Sequence, residues 1–260
     1  MAFRHATRII NNPGIKTMPT VIRQDDLIES VADALQYISY YHPVDFIQAV
    51  NEAYEREANP AAKDAMAQIL INSRMCAQGH RPICQDTGIV TAFLQVGMEV
   101  SWQGDMSVEE MVNEGVRRAY MDPDNTLRAS ILEDPDGARR NTGDNTPCVI
   151  HYEIVPGDRI EVHLAAKGGG SEAKTKFAML NPSDSVVDWV LKMVPTMGAG
   201  WCPPGMLGIG IGGTAEKAMI LAKEALLDPI DIQELMEKGA ENRAEELRLE
   251  LYDKINRLGI

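Results

Sequence analysis

No stretch of this 260-residue sequence approaches the roughly 18 consecutive apolar residues of a membrane-spanning helix, so no helical anchor is expected. Cysteine is scarce. Four are scattered at positions 76, 84, 148 and 202, in a chain too long to need disulfide staples. A reducing compartment, the cytoplasm, is therefore expected, with thiols free for packing, metal or catalysis. Basic residues are outnumbered, 25 against 38 acidic, which leaves a net charge of −13. Binding to duplex nucleic acid usually needs a basic face, and so does docking on an anionic membrane; neither partner is expected. A small dicarboxylate is not excluded, because a local cationic pocket can sit in an acidic protein. The five histidines show no metal-ligand spacing, and there is no internal repeat and no clear linker. With 45% hydrophobic and 24% charged residues the composition is globular, which excludes disorder, collagen and coiled coil as the main class.

What is there alternates between helical and extended patterns. Leu27, Val31, Leu35 and Ile38 share one helix face, and Phe46, Ile47, Val50 and Tyr54 form a second stripe after Pro43. A third helix is expected from Ala61 to Met75 and a fourth from Met106 to Tyr120, capped by Ser107 with Glu110 in the capping-box position. Ile89 to Val96 reads as a strand. Val149 to Val155 and Arg159 to Ala165 read as two more, joined by a hairpin signal at Pro156-Gly157-Asp158. Ser183 is expected to cap a helix, another starts at Thr214, and a last long helix runs from about Asp231 to Leu258. The fold class expected is α+β, with helices packed around a small, mainly antiparallel sheet. The first 24 residues carry Arg4, Arg8, Lys16 and Arg23 and no acid, but Asn11-Asn12-Pro13-Gly14 interrupts any amphipathic helix. Residues 1–19 read as an extension and 20–260 as the domain.

Three segments could carry chemistry. In Arg81-Pro82-Ile83-Cys84-Gln85-Asp86-Thr87-Gly88 a thiol, an amide and a carboxylate stand together just before a strand. The thiolate suits a soft metal or an iron–sulfur cluster and the carboxylate suits proton transfer, although a turn with a packed thiol and a capping Asp explains the same residues. Lys167-Gly168-Gly169-Gly170-Ser171-Glu172 could form a backbone anion nest, but lacks the ending of a P-loop. Gly208, Gly210 and Gly213, after Trp201-Cys202-Pro203-Pro204-Gly205, satisfy G-x-G-x-x-G without the preceding strand that a dinucleotide fold needs. Arg117, Arg118 and Arg128 could each clamp a carboxylate, or simply be solvated. Asn141 to Pro147 reads as turn chemistry. Cys76, Cys148, His151 and His163 read as structural.

Taken together, RPICQDTG (81–88), KGGGSEAKTKFAMLNPSD (167–184) and GAGWCPPGMLGIGIGGTAEK (198–217) resemble the class I, iron–sulfur fumarate hydratases and tartrate dehydratases, in their N-terminal, α-type region. The resemblance runs from about Thr20 to the end. It implies a hydro-lyase that hydrates fumarate reversibly to (S)-malate, or that dehydrates tartrate or a substituted dicarboxylate; a non-catalytic anion-binding fragment is the other reading. It implies a 4Fe–4S cluster for which Cys84 and Cys202 match two of three ligands, the third lying in a later segment that this sequence does not contain. It makes Asp86 the proton-transfer residue, and Gln85, Arg128 and the backbone of Gly168 and Gly169 the substrate contacts. It further implies a missing C-terminal, β-type half, a homodimer, and no turnover by the isolated fragment. Cys84, Cys202, Asp86 and the Gly168–Gly170 loop are expected to converge.

Overall fold

A computed structural model describes residues 20–202 and 204–259, so the expected 1–19 extension lies outside the described residues. In chain order the first elements are β1 (Val21–Arg23), α1 (Gln24–Tyr40), α2 (Val44–Arg56), α3 (Pro60–Gly79), β2 (Ile89–Gly97), β3 (Ser101–Gln103) and α4 (Val108–Tyr120). Next come β4 (Leu132–Glu133), β5 (Arg140–Asn141), β6 (Val149–Val155), β7 (Ile160–Lys167) and the single turn α5 (Gly169–Glu172). The last are α6 (Val186–Met193), a 3-10 stretch over Val194–Trp201, α7 (Ala215–Glu224), α8 (Ile232–Lys238) and α9 (Arg243–Asn256). The α+β class is as expected. The chain forms two compact units, one from the residues up to Pro43 with Ala67–Gly169, the other from Val44–Met66 with the residues from Gly170 on.

In the first unit β2 is the central strand of a three-stranded sheet ordered β6-β2-β7. It runs parallel to β6, with Thr91 opposite Val149, and antiparallel to β7, with Phe93 opposite His163. The sheet is therefore mixed rather than mainly antiparallel, and β6 and β7 are not a hairpin, because β2 lies between them. The reason is visible at the end of β2. Glu99 donates its N–H to Gly157 O at 2.9 Å, and Gly97 donates to Arg159 O at 2.8 Å, so the turn predicted to close a hairpin instead wraps the end of β2. Gly97 is required there, since a Cβ would collide with the Gly157 carbonyl.

The period-2 rule puts Val90, Ala92 and Leu94 on one buried face of β2. Against them lie Leu27, Ile28, Val31 and Leu35 of α1 and Met111, Val112, Val116 and Tyr120 of α4, all in one core. The predicted cap of α4 forms: Ser107 Oγ accepts from Glu110 N–H at 3.2 Å, and the Glu110 carboxylate accepts from Ser107 N–H at 2.7 Å. Such a box stabilises a helix start by about 1 kcal/mol. β1 pairs with β3 in parallel and β4 with β5 antiparallel.

In the second unit α6 and α9 bury Val187, Val190 and Leu251, with Leu207 and Ile209 packed alongside. Two expected boundaries move. Ser185, not Ser183, caps α6, accepting from Asp188 N–H at 3.1 Å. The long final helix is broken: Gly239 adopts φ +82° after α8, and Asn242 caps a fresh start by accepting from Glu245 N–H at 3.0 Å. A charged sequence with helical period continues through the break, and only the Gly–Asn pair marks it. Among the described residues no helix is long and apolar enough to cross a membrane.

Candidate active site

The turn before β2 is built around Gly88. Its φ is +93°, and a side chain there would strike the backbone at Ala166 and Lys167 of β7. Glycine lets the turn lie flat against that strand. The preceding residue, Thr87, accepts from Arg128 N–H and donates to Arg128 O, both at 2.9 Å. This double bond brings a distant loop to the turn. Pro82, Ile83, Cys84, Gln85, Thr87, Thr126 and Arg128 then line one open depression of about 460 Å³, large enough for a four-carbon dicarboxylate. Cys84 and Gln85 are exposed, and the Cys84 thiol donates to Gln85 Oε1 at 3.1 Å.

Asp86 turns toward β7 instead of lining this depression. Its Oδ1 accepts from Gly88 N–H at 3.1 Å and its Oδ2 from Gly169 N–H at 2.9 Å. A Cβ on Gly168 would sit 3.1 Å from Asp86 Oδ2, so the glycine pair gives the carboxylate room for close approach. The Gly169 N–H is thus spent on Asp86. Each carboxylate oxygen keeps a further lone pair for a proton or a ligand.

The other candidates separate cleanly. Arg117 and Arg118 both pair with Glu114, at 2.6 and 2.8 Å, and Arg117 holds the Glu114 carboxyl down to about 2. Arg128 is exposed and makes no ion pair with a described residue, which leaves its five donors available. Cys76 and Cys148 are buried, and burial pushes the Cys148 thiol up to about 11. His151 stacks on Phe93 with ring centroids 5.0 Å apart, and His163 bonds Glu161 at 2.7 Å. Among the described residues no three His, Cys, Asp or Glu side chains gather as a metal site.

Cys202 belongs to the second unit, where it is exposed at φ +57°. In the same unit Gly208 and Gly210 lie against α7, where a side chain on either would collide with the carbonyls of Ala222 and Ala218. Their spacing serves a close packing of extended chain on helix. Glu172, from the triple-glycine segment, pairs with Lys223 at 2.9 Å. Sequence reasoning missed Thr87, Tyr120 and Asn145. Tyr120 donates to Thr87 O at 2.8 Å, and fully buried Asn145 donates to Gly88 O at 3.0 Å. Only a contact across more than thirty residues gives these side chains a part, and no local pattern signals it.

Comparison with known proteins gives the family. The family profile described as fumarate hydratase (Fumerase) matches residues 28–260, which span both units. A protein of Methanocaldococcus jannaschii, provisionally named L(+)-tartrate dehydratase subunit alpha, is 33% identical over 236 residues, covering 88% of this chain and 80% of its own length. The L(+)-tartrate dehydratase subunit alpha of Escherichia coli K12 is 29% identical over 238 residues, covering 90% of this chain and 76% of its own. In strain UTI89 the same-named subunit is 30% identical over 238 residues. With a profile match over most of its length and a relative at this identity, the chain belongs to the fumarate hydratase family of hydro-lyases.

Proposed function

We propose that this chain is the iron–sulfur-bearing, α-type part of a hydro-lyase that acts on a four-carbon dicarboxylate, with dehydration of L(+)-tartrate as the first reading. The observation that carries it is one turn that holds a thiol, an amide and a carboxylate, tied through Thr87 to an exposed arginine with no ion partner among the described residues. Relatives named as tartrate dehydratase α subunits support the substrate. The description of the matching family supports fumarate hydration as the second reading. The two reactions are of one type: a proton and a hydroxide leave, or join, neighbouring carbons of a dicarboxylate.

The donor set suits a cluster. Thiolates are the ligands, and Cys84 and Cys202 are the exposed thiols, whereas Cys76 and Cys148 are buried. Cys84 and Cys202 would hold a 4Fe–4S cluster, with a third thiolate from outside these 260 residues. Bound there, it supplies a Lewis acid for the substrate hydroxyl. The chain's own side chains do the rest. Arg128 clamps a substrate carboxylate in a two-pronged bond. Gln85 orients the hydroxyl beside it. Asp86, with both oxygens fixed by backbone N–H groups, moves the carbon-bound proton. Gly168 and Gly169 frame the substrate end of that carboxylate. In this reading residues 20–260 are the α-type domain after a short extension, the enzyme works in the cytoplasm, and it is completed by a β-type partner and a second copy of itself.

The test is an assay of the anaerobically prepared holoenzyme with L(+)-tartrate and fumarate in parallel. A kcat/KM about tenfold or more in favour of tartrate supports the first reading, and the reverse supports the second. Absence of turnover with both would contradict the assignment.

A further inference from the structure

The triangle of bonds around Gly88 does more than close a turn. Asn145 is fully buried and uses both ends of its amide: Nδ2 donates to Gly88 O at 3.0 Å, and Oδ1 accepts from Ser130 N–H at 2.7 Å. One side chain therefore bridges the Asp86–Gly88 turn and the loop two residues beyond Arg128. Thr87 makes a second bridge between the same two segments through its paired bonds to the Arg128 backbone. Buried Tyr120, on α4, fixes the turn from beneath by donating to Thr87 O and Gly88 O at 2.8 and 3.0 Å. Three side chains thus make six hydrogen bonds that hold two short segments which do not pair in a sheet. Arg128 is exposed, with no described ion partner, so these backbone bonds are what fixes the root of its side chain.

We infer that Asn145 and Thr87 are positioning residues, which hold the Arg128 guanidinium at a set distance from Cys84, Gln85 and Asp86 and so match the site to the length of a dicarboxylate. This rests on the reading of the turn as the hydro-lyase site. The chemistry of the amide supports it. Asn145 has to donate to one segment and accept from the other, so aspartate, of the same shape, cannot replace it: a second acceptor would face Gly88 O in a buried place. At φ +64° asparagine is also among the few residues that accept the backbone required.

The experiment uses the active holoenzyme with L(+)-tartrate and fumarate as probes. Thr87→Val keeps the branched shape and removes both bonds to Arg128; Thr87→Ser restores the hydroxyl. Thr87→Val should raise KM by about tenfold to a hundredfold with a smaller loss in kcat, as expected when a clamp is displaced by about 1 Å, and Thr87→Ser should recover most of it. Asn145→Asp should act in the same sense. In an Arg128→Ala background, Thr87→Val should cost almost nothing further, because both changes remove one interaction. A general loss of stability would add in either background, and a melting curve on each variant separates the two. If Arg128→Ala raises KM while Thr87→Val leaves it within about twofold, this inference falls and the site reading stands. If Arg128→Ala itself leaves KM unchanged, both fall together. Should Asn145→Asp fail to fold, the Thr87 series decides alone.

Discussion

Asp86 has both carboxylate oxygens engaged by backbone N–H groups, from Gly88 and Gly169, so its place does not depend on bound substrate. A group fixed in this way and acting on a proton in the transition state should show its loss in kcat. Asp86→Asn is expected to lower kcat by about 10²–10⁴-fold with little change in KM, in steady-state kinetics of the holoenzyme. An unchanged kcat would remove the proton-transfer role. Glu114 makes a contrasting case, since its charge supports the fold. The hydrogen bond from Arg117 lowers its carboxyl from the ordinary 4.5 to about 2. A depressed folded value means that the stabilisation is present in full above about 4.5 and is lost as the pH falls through about 2. With both arginines 44% exposed, the pair contributes only about 0.5–1 kcal/mol. Glu114→Gln should melt a little lower than the wild type at neutral pH, and the difference should shrink steadily below pH ~4.5. At this scale Cys84, Gln85, Asp86 and Arg128 were legible as candidates, and their roles follow from the family resemblance rather than from residue type. Asn145 was not, because an asparagine in a run of Asn, Asp, Thr and Gly reads as turn until its burial is known.

At the scale of elements, α1 and α4 meet through Gly115. A methyl group there would come within 2.7 Å of Val31 Cβ and 2.8 Å of Ile28 O, both on the facing helix. Overpacking of this kind costs about 1–3 kcal/mol, so Gly115→Ala should lower the melting temperature even though alanine is the better helix former. An equal or higher Tm would show that the two helices move apart freely. The helices α1 and α4 were legible in their packing, since both bury residues spaced by three and four, and the capping box marks where α4 begins. Helices α2 and α3 were legible as helices, but α2 buries only Val50, and α3 buries Met66, Ser73 and Cys76 rather than the face its period suggests. The strands β2, β6 and β7 were legible too, whereas the two- and three-residue strands β1, β3, β4 and β5 and the order of the sheet were not. Pro156-Gly157-Asp158 reverses the chain whether or not its flanks pair, and the insertion of β2 between β6 and β7 depends on bonds from Gly97 and Glu99, some sixty residues away. The split of the final helix escaped for a different reason: Gly239 and Asn242 are both tolerated singly in a helix of this length, and it is their combination that ends one and starts the next.

For the whole molecule, the charge of −13 and the exposed thiols point the same way. The dicarboxylate proposed as substrate would need a local positive charge in so acidic a protein, and Arg128, beside the Cys84 turn, is the side chain proposed to supply it. The central proposal is that Cys84 and Cys202 are both ligands of an iron–sulfur cluster. The most direct measurement is the iron and sulfide content, with the EPR spectrum, of the anaerobically prepared holoenzyme as wild type, Cys84→Ser, Cys202→Ser and Cys148→Ser. Loss of the cluster in the first two variants, and its retention in Cys148→Ser, is the predicted result; a full cluster in either Cys84→Ser or Cys202→Ser would contradict the account.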